Sequence, residues 1–305
     1  MSDTLLVVDA GQTGARIRVV VDGVAQAPIE MPGVRNDTPL VPQWADIVRA
    51  ALVTFADHSP TQVAVGSTGR GSQHTAAHLL GLLGDTSVHQ VAVAHDSVSN
   101  YLGALNHQNG VIVAAGTGVI VFGVGQERTW RVDGWGSQLG DSGSGFSIGR
   151  AGLEAVMRAH DGRGQQTSLL SVVERDFADI EEAYLEIQND ENWVRRIASY
   201  CKTVATLAPT DAVAAAILDN AARELAHSVA TAAVKVGETR PEGTLVGTLG
   251  GVFRSPELRA SFETHLQRAL PAAKIVQPLG DALAGAGKLF EVDETSPLRS
   301  AISYA

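Results

Sequence analysis

The chain has 305 residues, of which 45% are hydrophobic and 18% are charged, and its formal net charge is −10. This length predicts about two domains with apolar cores. The acidic balance, without a Lys/Arg-rich run, argues against nucleic acid or an anionic membrane surface as a partner. The single cysteine, Cys201, excludes an intrachain disulfide and a cysteine-ligated metal site built from one chain. Because neither a signal sequence nor a membrane-length apolar run is evident, we expect a cytoplasmic protein.

The N-terminal part of the chain predicts a small α/β unit. Residues 4–30 alternate apolar and polar side chains in three short runs, which indicates three antiparallel strands that begin with a hairpin. Residues 31–40 contain Pro, Gly and Asn and predict a loop. After this loop we predict helices over 44–56, 74–83 and 97–105, alternating with buried strands over 62–66 and 91–94. The order βββαβαβα is complete near residue 106.

The same plan starts again with a second predicted hairpin at 111–124. This repetition indicates a duplicated domain, so we assign residues 1–107 to an N-terminal domain and 108–305 to a C-terminal domain. Because no low-complexity linker separates them, we expect the two domains to pack closely with a cleft between them.

The second copy carries a mostly helical insertion over about 145–237. Its longest predicted helix covers 211–236, with Thr210 as the N-cap and Gly237 as the stop. After the insertion we predict a strand over 244–248, a helix that begins at Ser255 and Pro256, a strand over 274–277 and a helix over 281–290.

Each hairpin has a small, polar, glycine-containing turn at its tip. The first follows Asp9 and contains Gly11, Gln12 and Thr13, and the second contains Gly116, Thr117 and Gly118. Such turns let backbone N–H groups and a Thr hydroxyl approach phosphate oxygens, and a carboxylate such as Asp9 can hold Mg²⁺. Either turn alone is equally compatible with an ordinary hairpin. Their matching positions in two copies favour a nucleotide-phosphate site.

Asp96 follows a buried strand and precedes a predicted helix. A carboxylate at the carboxyl end of a strand lies where α/β sheets present their ligands. It can act there as the general base that takes a proton from an attacking hydroxyl. The alternative is that Asp96 only caps the helix, and the two predicted phosphate turns favour the base.

Two glycine-rich segments lie in the second half. The segment 134–145 is the densest glycine cluster, and its one ionisable group, Asp141, could bind substrate hydroxyls or a metal-bound water. A flexible connector is the alternative, against which a Trp inside the segment argues. Gly250-Gly-Val-Phe253 follows a buried strand and can let a planar ring lie against the backbone. Phe253 is equally compatible with a place in the core.

Together these motifs resemble the sugar kinase, actin and heat-shock ATPase superfamily, and most nearly its N-acetylglucosamine kinase and BadF-type ATPase family. The resemblance covers about residues 1–290. The matching segments are Asp9-Ala-Gly-Gln-Thr13, His95-Asp-Ser97, Gly116-Thr-Gly-Val119, Asp133-Gly-Trp-Gly136 with Gly140-Asp-Ser-Gly-Ser144, and Gly250-Gly-Val-Phe253. The segment with Trp135 and Asp141 is the most specific of them.

The resemblance implies two RNase H-like (actin-like ATPase) domains with an interdomain cleft, and ATP and Mg²⁺ as cofactors. It implies that Asp96 is the base for a sugar 6-hydroxyl. The implied sugar-binding residues are Asn36, Thr68, Asp96, Gly140 and Asp141, and the implied metal ligands are Asp9 and Asp141. The implied phosphate-binding residues are Gly11, Gln12, Thr13, Gly116, Thr117 and Gly118, and the implied adenosine-binding residues are Gly250, Gly251 and Phe253. The family is typically dimeric, so we expect a homodimer.

Several residues depart from the family pattern. Ala10 and Gln12 replace glycines in the first turn, Gly14 stands where a Lys or Arg often follows, Val119 replaces a Ser and Ser142 replaces a Glu. These departures bear on phosphate affinity and sugar choice rather than on the fold.

From the resemblance we expect an ATP-dependent kinase of N-acetylglucosamine at O6. The alternatives are a glucosamine or N-acetylmuramic acid kinase, and a non-catalytic nucleotide-binding regulator of the same fold.

Overall fold

The computed structural model describes residues 4–35, 37–239 and 242–305. Its strands are β1 (Thr4–Ala10), β2 (Ala15–Val21), β3 (Val24–Ala25), β4 (Ile29–Met31), β5 (Gln62–Ser67), β6 (Gln90–His95), β7 (Gly110–Ala115), β8 (Val119–Val124), β9 (Thr129–Val132), β10 (Thr244–Leu249), β11 (Ala273–Val276) and β12 (Ile302–Tyr304). Its α-helices are α1 (Leu40–Thr54), α2 (Ala76–Leu82), α3 (Asp96–Leu105), α4 (Gly145–His160), α5 (Leu169–Asp176), α6 (Ala183–Gln188), α7 (Trp193–Leu207), α8 (Ala212–Val236), α9 (Pro256–Ala269) and α10 (Ala282–Ala286).

The chain divides into two α/β units. The first comprises the described residues of Met1–Gly110, Val124–Thr129 and Gln277–Ala305, and the second comprises those of Val111–Gly123 and Trp130–Val276. In the first unit the strand order is β12-β6-β5-β1-β2-β3, and β4 also pairs with β2. The predicted third strand is therefore two short strands, each of which pairs with β2.

The parallel strands β1, β5 and β6 are in register. Ala10 on β1 lies opposite Ser67 on β5, and Ser67 lies opposite His95 on β6. The carboxyl ends of all three strands therefore meet at one edge of the first sheet. Trp44 on α1 fixes this edge from one side, because its buried indole N–H donates to Ser67 Oγ over 2.9 Å.

The second sheet repeats the plan of the first. Its order is β11-β10-β7-β8-β9, which matches β6-β5-β1-β2-β3 strand for strand. The neighbouring strands β10 and β11 are parallel, as are β10 and β7. The duplicated plan predicted from the sequence is confirmed.

The C-terminal residues differ from the predicted domain division. Residues 277–305 lie with the first unit rather than the second. The reason is long-range pairing, since β12 adds antiparallel to β6 through Ile302 opposite Ala94. The short helix α10 also packs on α3 so closely that a Cβ at Gly285 would overlap the backbone carbonyl of Ser99. The predicted helix over 281–290 is α10 followed by a 3₁₀ turn at Leu289–Glu291.

Helices α4–α8 form the predicted helical insertion of the second unit, and their apolar faces make most of its core. The N-cap of α8 is Asp211 rather than the predicted Thr210, whereas Gly237 ends the helix in the left-handed conformation, as predicted. Within the described residues no helix alone has the length and apolar composition of a membrane span. Helices α7 and α8, at 115° to each other, pass that test as a pair on length and composition only.

Asp211 joins the start of α8 to the start of α5. Its Oδ1 accepts the N–H groups of Val213 and Ala214, and its Oδ2 accepts Thr167 Oγ1–H and Ser168 N–H. Burial alone would raise the pKa of Asp211, but these hydrogen bonds outweigh burial and hold the pKa below its ordinary value. The folded chain therefore favours the ionised carboxylate.

We expect Asp211→Ala to lower the free energy of unfolding at pH 7 by about 1–2 kcal/mol, the usual effect of losing an N-cap. Because the folded-state pKa is depressed, this stabilisation is complete above the ordinary Asp pKa of about 4 and is lost as the pH falls through the folded-state value. Denaturant unfolding at a series of pH values from 7 to 3 measures the free energy of unfolding of both proteins. The difference between wild type and variant should become smaller as the pH falls. The control is Asp46→Ala at an exposed position on α1. A difference in free energy of unfolding that does not change with pH would contradict the role of the ionised Asp211 carboxylate.

Candidate functional site

The edge of the first sheet brings together three of the predicted site residues. Asp9 is the second-last residue of β1, Thr68 follows β5 directly, and Asp96 follows β6 directly. The Thr68 N–H donates to the carbonyl oxygen of Ala10 over 3.0 Å, which fixes the start of the segment after β5. The strand register thus places a Thr hydroxyl and two carboxylates at the carboxyl edge of one sheet.

Asp96 begins α3, and the residue that caps this helix is His95. The imidazole Nδ1 accepts the Ser97 N–H over 3.2 Å and lies 2.8 Å from Asp96 Oδ1. Among the described residues, Asp96 Oδ1 has no hydrogen-bond partner of acceptable geometry although it is buried. The imidazole and the carboxylate thus lie within hydrogen-bond distance of each other at the start of α3. Asp96 is therefore the first residue of α3 and not its cap, which contradicts the alternative that it only caps the helix. Its role as a general base stays a prediction.

Asp9 takes part in a chain of ionic contacts across two elements. Arg16, directly opposite on β2, donates through Nη2 to Asp9 Oδ2 over 2.8 Å and through Nη1 to Asp281 Oδ2 over 2.7 Å. Burial raises the pKa of Asp9, and the hydrogen bond and charge of Arg16 only partly oppose this effect. Asp281 also caps α10 through the Ala284 N–H.

The donor set at Asp9 fits a magnesium ion held largely by water and substrate. Mg²⁺ is usually bound by one or two carboxylates together with substrate phosphates and waters, rather than by a cage of protein ligands. No group of three His, Cys, Asp or Glu side chains suited to a metal occurs among the described residues. Asp9 Oδ2 is already bound to Arg16, so a metal at Asp9 must share this carboxylate with a cation of the chain.

The tip of the first hairpin is exposed but anchored. Gly11 N–H donates to the carbonyl of Gly14 over 3.0 Å, and Val34 N–H donates to the carbonyl of Gly11 over 3.0 Å. Gln12 and Thr13 between them are exposed, so they are available to a phosphate. The predicted sugar ligand Asn36 lies outside the described residues.

The tip of the second hairpin is fixed by the start of α4. Gly145 N–H donates to the carbonyl of Gly116 over 2.8 Å, and Phe146 N–H donates to the carbonyl of Thr117 over 3.0 Å. These bonds satisfy two of the N–H groups that a helix start leaves without partners. Gly116 and Thr117 are themselves exposed, so the turn offers a preorganised surface of backbone and hydroxyl groups.

Asp141 also holds the second hairpin. Its side chain is buried, and a Cβ at Gly118 would lie 2.8 Å from Asp141 Oδ2. Burial raises the pKa of Asp141, while hydrogen bonds from the backbone N–H groups of Val119 and Gly136 partly oppose this effect. The carboxylate is thus engaged with the backbone on both sides. Sugar or metal binding by Asp141 remains a prediction, and its observed contacts position the turn.

The glycine-rich segment before Asp141 is an ordered structure rather than a flexible connector. Asp133 accepts the N–H of Asp141 at Oδ1 over 2.8 Å and the N–H of Ser142 at Oδ2 over 2.9 Å. Gly140 packs against the same carboxylate, where a Cβ would overlap Asp133 Oδ1. Both Asp133 and Asp141 adopt positive φ angles, 58° and 62°. Sequence reasoning did not single out Asp133, although an Asp before a Gly-rich turn is a common backbone acceptor.

The turn after β10 separates its backbone from its aromatic side chain. Gly250 has φ 95°, and a Cβ there would overlap the carbonyl of Ala115. A Cβ added at Gly251 would meet open space. Phe253 is buried, with its ring 5.1 Å from that of Phe262 in an edge-on contact. Of the two roles open from the sequence, the structure gives Phe253 the place in the core and leaves the backbone of Gly250 and Gly251 exposed.

Comparison with known proteins gives the family. The model of the BadF/BadG/BcrA/BcrD ATPase family matches residues 16–287. The chain belongs to this family. It is 31% identical over 210 residues to an N-acetylmuramic acid/N-acetylglucosamine kinase of Clostridium acetobutylicum, a match that covers 65% of this chain and 66%, just under two thirds, of that protein. It is 28% identical over 268 residues to an N-acetyl-D-glucosamine kinase of Dictyostelium discoideum, covering 80% and 81% of the two chains.

Solved structures confirm the fold of this family member. A Chromobacterium violaceum protein, described provisionally as an N-acetylglucosamine kinase, matches 94% of this chain and 98% of its own with a TM-score of 0.76 and 24% identity. A glucokinase of the ROK family from Streptomyces griseus, solved with glucose and AMPPNP, matches 94% and 98% with a TM-score of 0.55 and 18% identity. The fold is therefore the α/β fold of the actin-like sugar kinases, as predicted.

The turn after β10 yields a matched pair of variants. We expect Gly250→Ala to destabilise the protein by about 1–3 kcal/mol, because the new Cβ overlaps Ala115 and the φ angle is unfavourable for an L-residue. The neighbouring Gly251→Ala meets open space and should leave the midpoint of thermal unfolding within a degree or two of wild type. Equal midpoints for the two variants would show that the turn is not constrained in this way.

Proposed function

We propose that the protein is an ATP- and Mg²⁺-dependent kinase that phosphorylates N-acetylglucosamine at O6. The observation that carries the proposal is the shared edge of β1, β5 and β6, where Asp9, Thr68 and Asp96 lie at the ends of adjacent strands. The names of the two curated relatives support an amino sugar as the acceptor. Membership of an ATPase family supports ATP as the phosphoryl donor.

Asp96 is the general base in this proposal. Its side chain is 27% exposed, so a hydroxyl group can reach the carboxylate. The sugar O6 forms a bond to the γ-phosphorus of ATP, its proton passes to the Asp96 carboxylate, and the bond from that phosphorus to the β–γ bridging oxygen breaks to release ADP. His95, 2.8 Å from Asp96 Oδ1, orients the base.

The other site residues bind and position. We assign Thr68 to a sugar hydroxyl, and the exposed turns Gly11–Thr13 and Gly116–Gly118 to phosphate oxygens. The exposed backbone of Gly250 and Gly251 is assigned to the nucleoside. Bound Mg²⁺, held by Asp9, would supply positive charge to the phosphate oxygens. Sugar contacts from Asn36, Gly140 and Asp141 and a homodimer stay predictions from the family resemblance. A cytoplasmic location stays a prediction from the sequence.

We expect Asp96→Asn to lower kcat for N-acetylglucosamine by about 10²–10⁴-fold, the usual effect of removing a positioned base. The amide cannot accept the proton, but it keeps the size and helix-start geometry of the carboxylate, so sugar binding should persist. ADP release measured in a coupled assay gives kcat, and isothermal titration gives sugar affinity.

The exposed Asp46→Asn on α1 is the control and should retain wild-type kcat. 6-Deoxy-N-acetylglucosamine should bind without turnover, which tests the position of transfer. Near-normal turnover in Asp96→Asn would remove Asp96 as the base. ATP binding without turnover of any amino sugar by the wild type would instead favour a non-catalytic regulator.

A further inference from the structure

Arg70 differs in its ionic contacts from Arg16 and Arg18, which lie on β2 of the first sheet. Arg16 and Arg18 both lie within 4.0 Å of the Asp281 carboxylate. Arg70 is half-buried, yet among the described residues no carboxylate lies within ion-pair distance of its guanidinium. Its observed hydrogen bond is a long one, from Nη1 to the carbonyl of Ala301 over 3.4 Å, and its Nε is buried without a partner.

The backbone places Arg70 at the same edge of the first sheet as the proposed base. Arg70 comes three residues after Ser67, which lies opposite His95 at the end of β6. Ala301 directly precedes β12, whose Ile302 pairs with Ala94. The Arg70 guanidinium, which contacts the Ala301 carbonyl, therefore lies beside the start of the strand that pairs with the carboxyl end of β6.

The segment around Arg70 is held in place. Gly69 turns the chain with φ 68°, and Gly71 N–H donates to His74 Nδ1 over 2.9 Å. At the end of the segment, Ala76 N–H donates to Ser303 Oγ over 3.0 Å. The guanidinium therefore sits on an anchored backbone rather than on a free loop.

Burial and positive charge both act on the titratable groups at Arg70 and His74. Burial lowers the pKa of the Arg70 guanidinium, which means that the cation is desolvated without a compensating anion. Burial also lowers the pKa of His74, and the charges of Arg70 and His78 add to that effect. A desolvated arginine without a carboxylate partner in the protein attracts an anionic group of the ligand more strongly than a hydrated surface arginine does.

We infer that Arg70 binds a carboxylate carried by the sugar, so that the enzyme accepts an acidic amino sugar in addition to a neutral one. The inference rests on the proposed function of this edge. N-acetylmuramic acid, which is N-acetylglucosamine with a lactyl ether at O3, has this chemistry and appears in the name of a curated relative. The planar guanidinium suits a carboxylate better than an ammonium group does.

The test measures binding and turnover of N-acetylmuramic acid, its neutral methyl ester and N-acetylglucosamine with the full chain. The wild type should bind the acid more tightly than the ester. In Arg70→Gln the ratio of kcat/KM for the acid to kcat/KM for N-acetylglucosamine should fall about tenfold to a hundredfold, as expected for loss of one charge-assisted hydrogen bond. Arg70→Lys keeps the charge but not the planar geometry and should give a smaller fall.

Arg49→Gln is the matched control, because Arg49 is an exposed arginine on α1 whose guanidinium forms an ion pair with Asp85. It should leave the ratio unchanged. Thermal unfolding of each variant shows whether it is folded. An unchanged ratio in Arg70→Gln, or equal wild-type affinity for the acid and its ester, would overturn the inference. Tight, Arg70-dependent binding of the acid without turnover of any sugar would instead refute the proposed kinase reaction alone.

Discussion

The register of β1, β5 and β6 is the constraint on which the proposed site depends. Ala10, Ser67 and His95 lie level across three parallel strands. A shift of one residue in any of these strands would turn its side chains to the other face and would move the residue that follows it out of line. The buried Val and Ala side chains on both faces of these strands hold the register. The chemistry proposed for Asp9, Thr68 and Asp96 thus depends on the packing of the strands that carry them.

In the second unit, carboxylates that accept backbone N–H groups fix the position of the predicted phosphate turn. Asp133 and Asp141 bind backbone groups within one glycine-rich segment and at the second hairpin. The first N–H groups of α4 bind the carbonyls of the hairpin tip. Each buried bond of this kind is costly to leave unmade, so the tip is organised before any ligand arrives. Preorganised backbone donors are effective at stabilising phosphate charge because they need little rearrangement.

Much of the fold could be predicted from local patterns, and the failures have physical causes. Alternation of apolar and polar residues gave the hairpins, and buried runs gave β5, β6 and β10 within one residue or two. Local sequence cannot show that β12 returns to β6, because that pairing depends on residues about two hundred positions apart. The N-cap of α8 was misplaced by one residue because Thr210 and Asp211 are both good capping residues, and only the contacts to Thr167 and Ser168 decide between them.

For the site, too, local sequence shows where residues lie along the chain but not which distant residues they contact. The places of Asp9 and Asp96 at the ends of strands could be predicted because strand ends are visible in the sequence, whereas their roles stay predictions. Their partners were missed: Arg16 opposes Asp9 only once the hairpin register is known, and His95 was placed without its role as cap and neighbour of the base. Phe253 could not be assigned from the sequence because an aromatic residue suits a core and a nucleoside equally, and its contact with Phe262 resolves the choice.

The charge distribution of the chain bears on how an anionic substrate would bind. A chain of net charge −10 repels anionic ligands at long range, but this repulsion is screened beyond about 8 Å at physiological ionic strength. Binding of an anionic substrate therefore depends on local donors. Two such donors in the first unit are Arg16, already paired with Asp9, and Arg70, which has no carboxylate within ion-pair distance among the residues that the structure describes. A cation that is fully paired contributes little to an incoming anion, whereas one that is desolvated and unpaired favours it. For this reason, selectivity for charged sugars is expected to depend on Arg70 more than on any paired arginine.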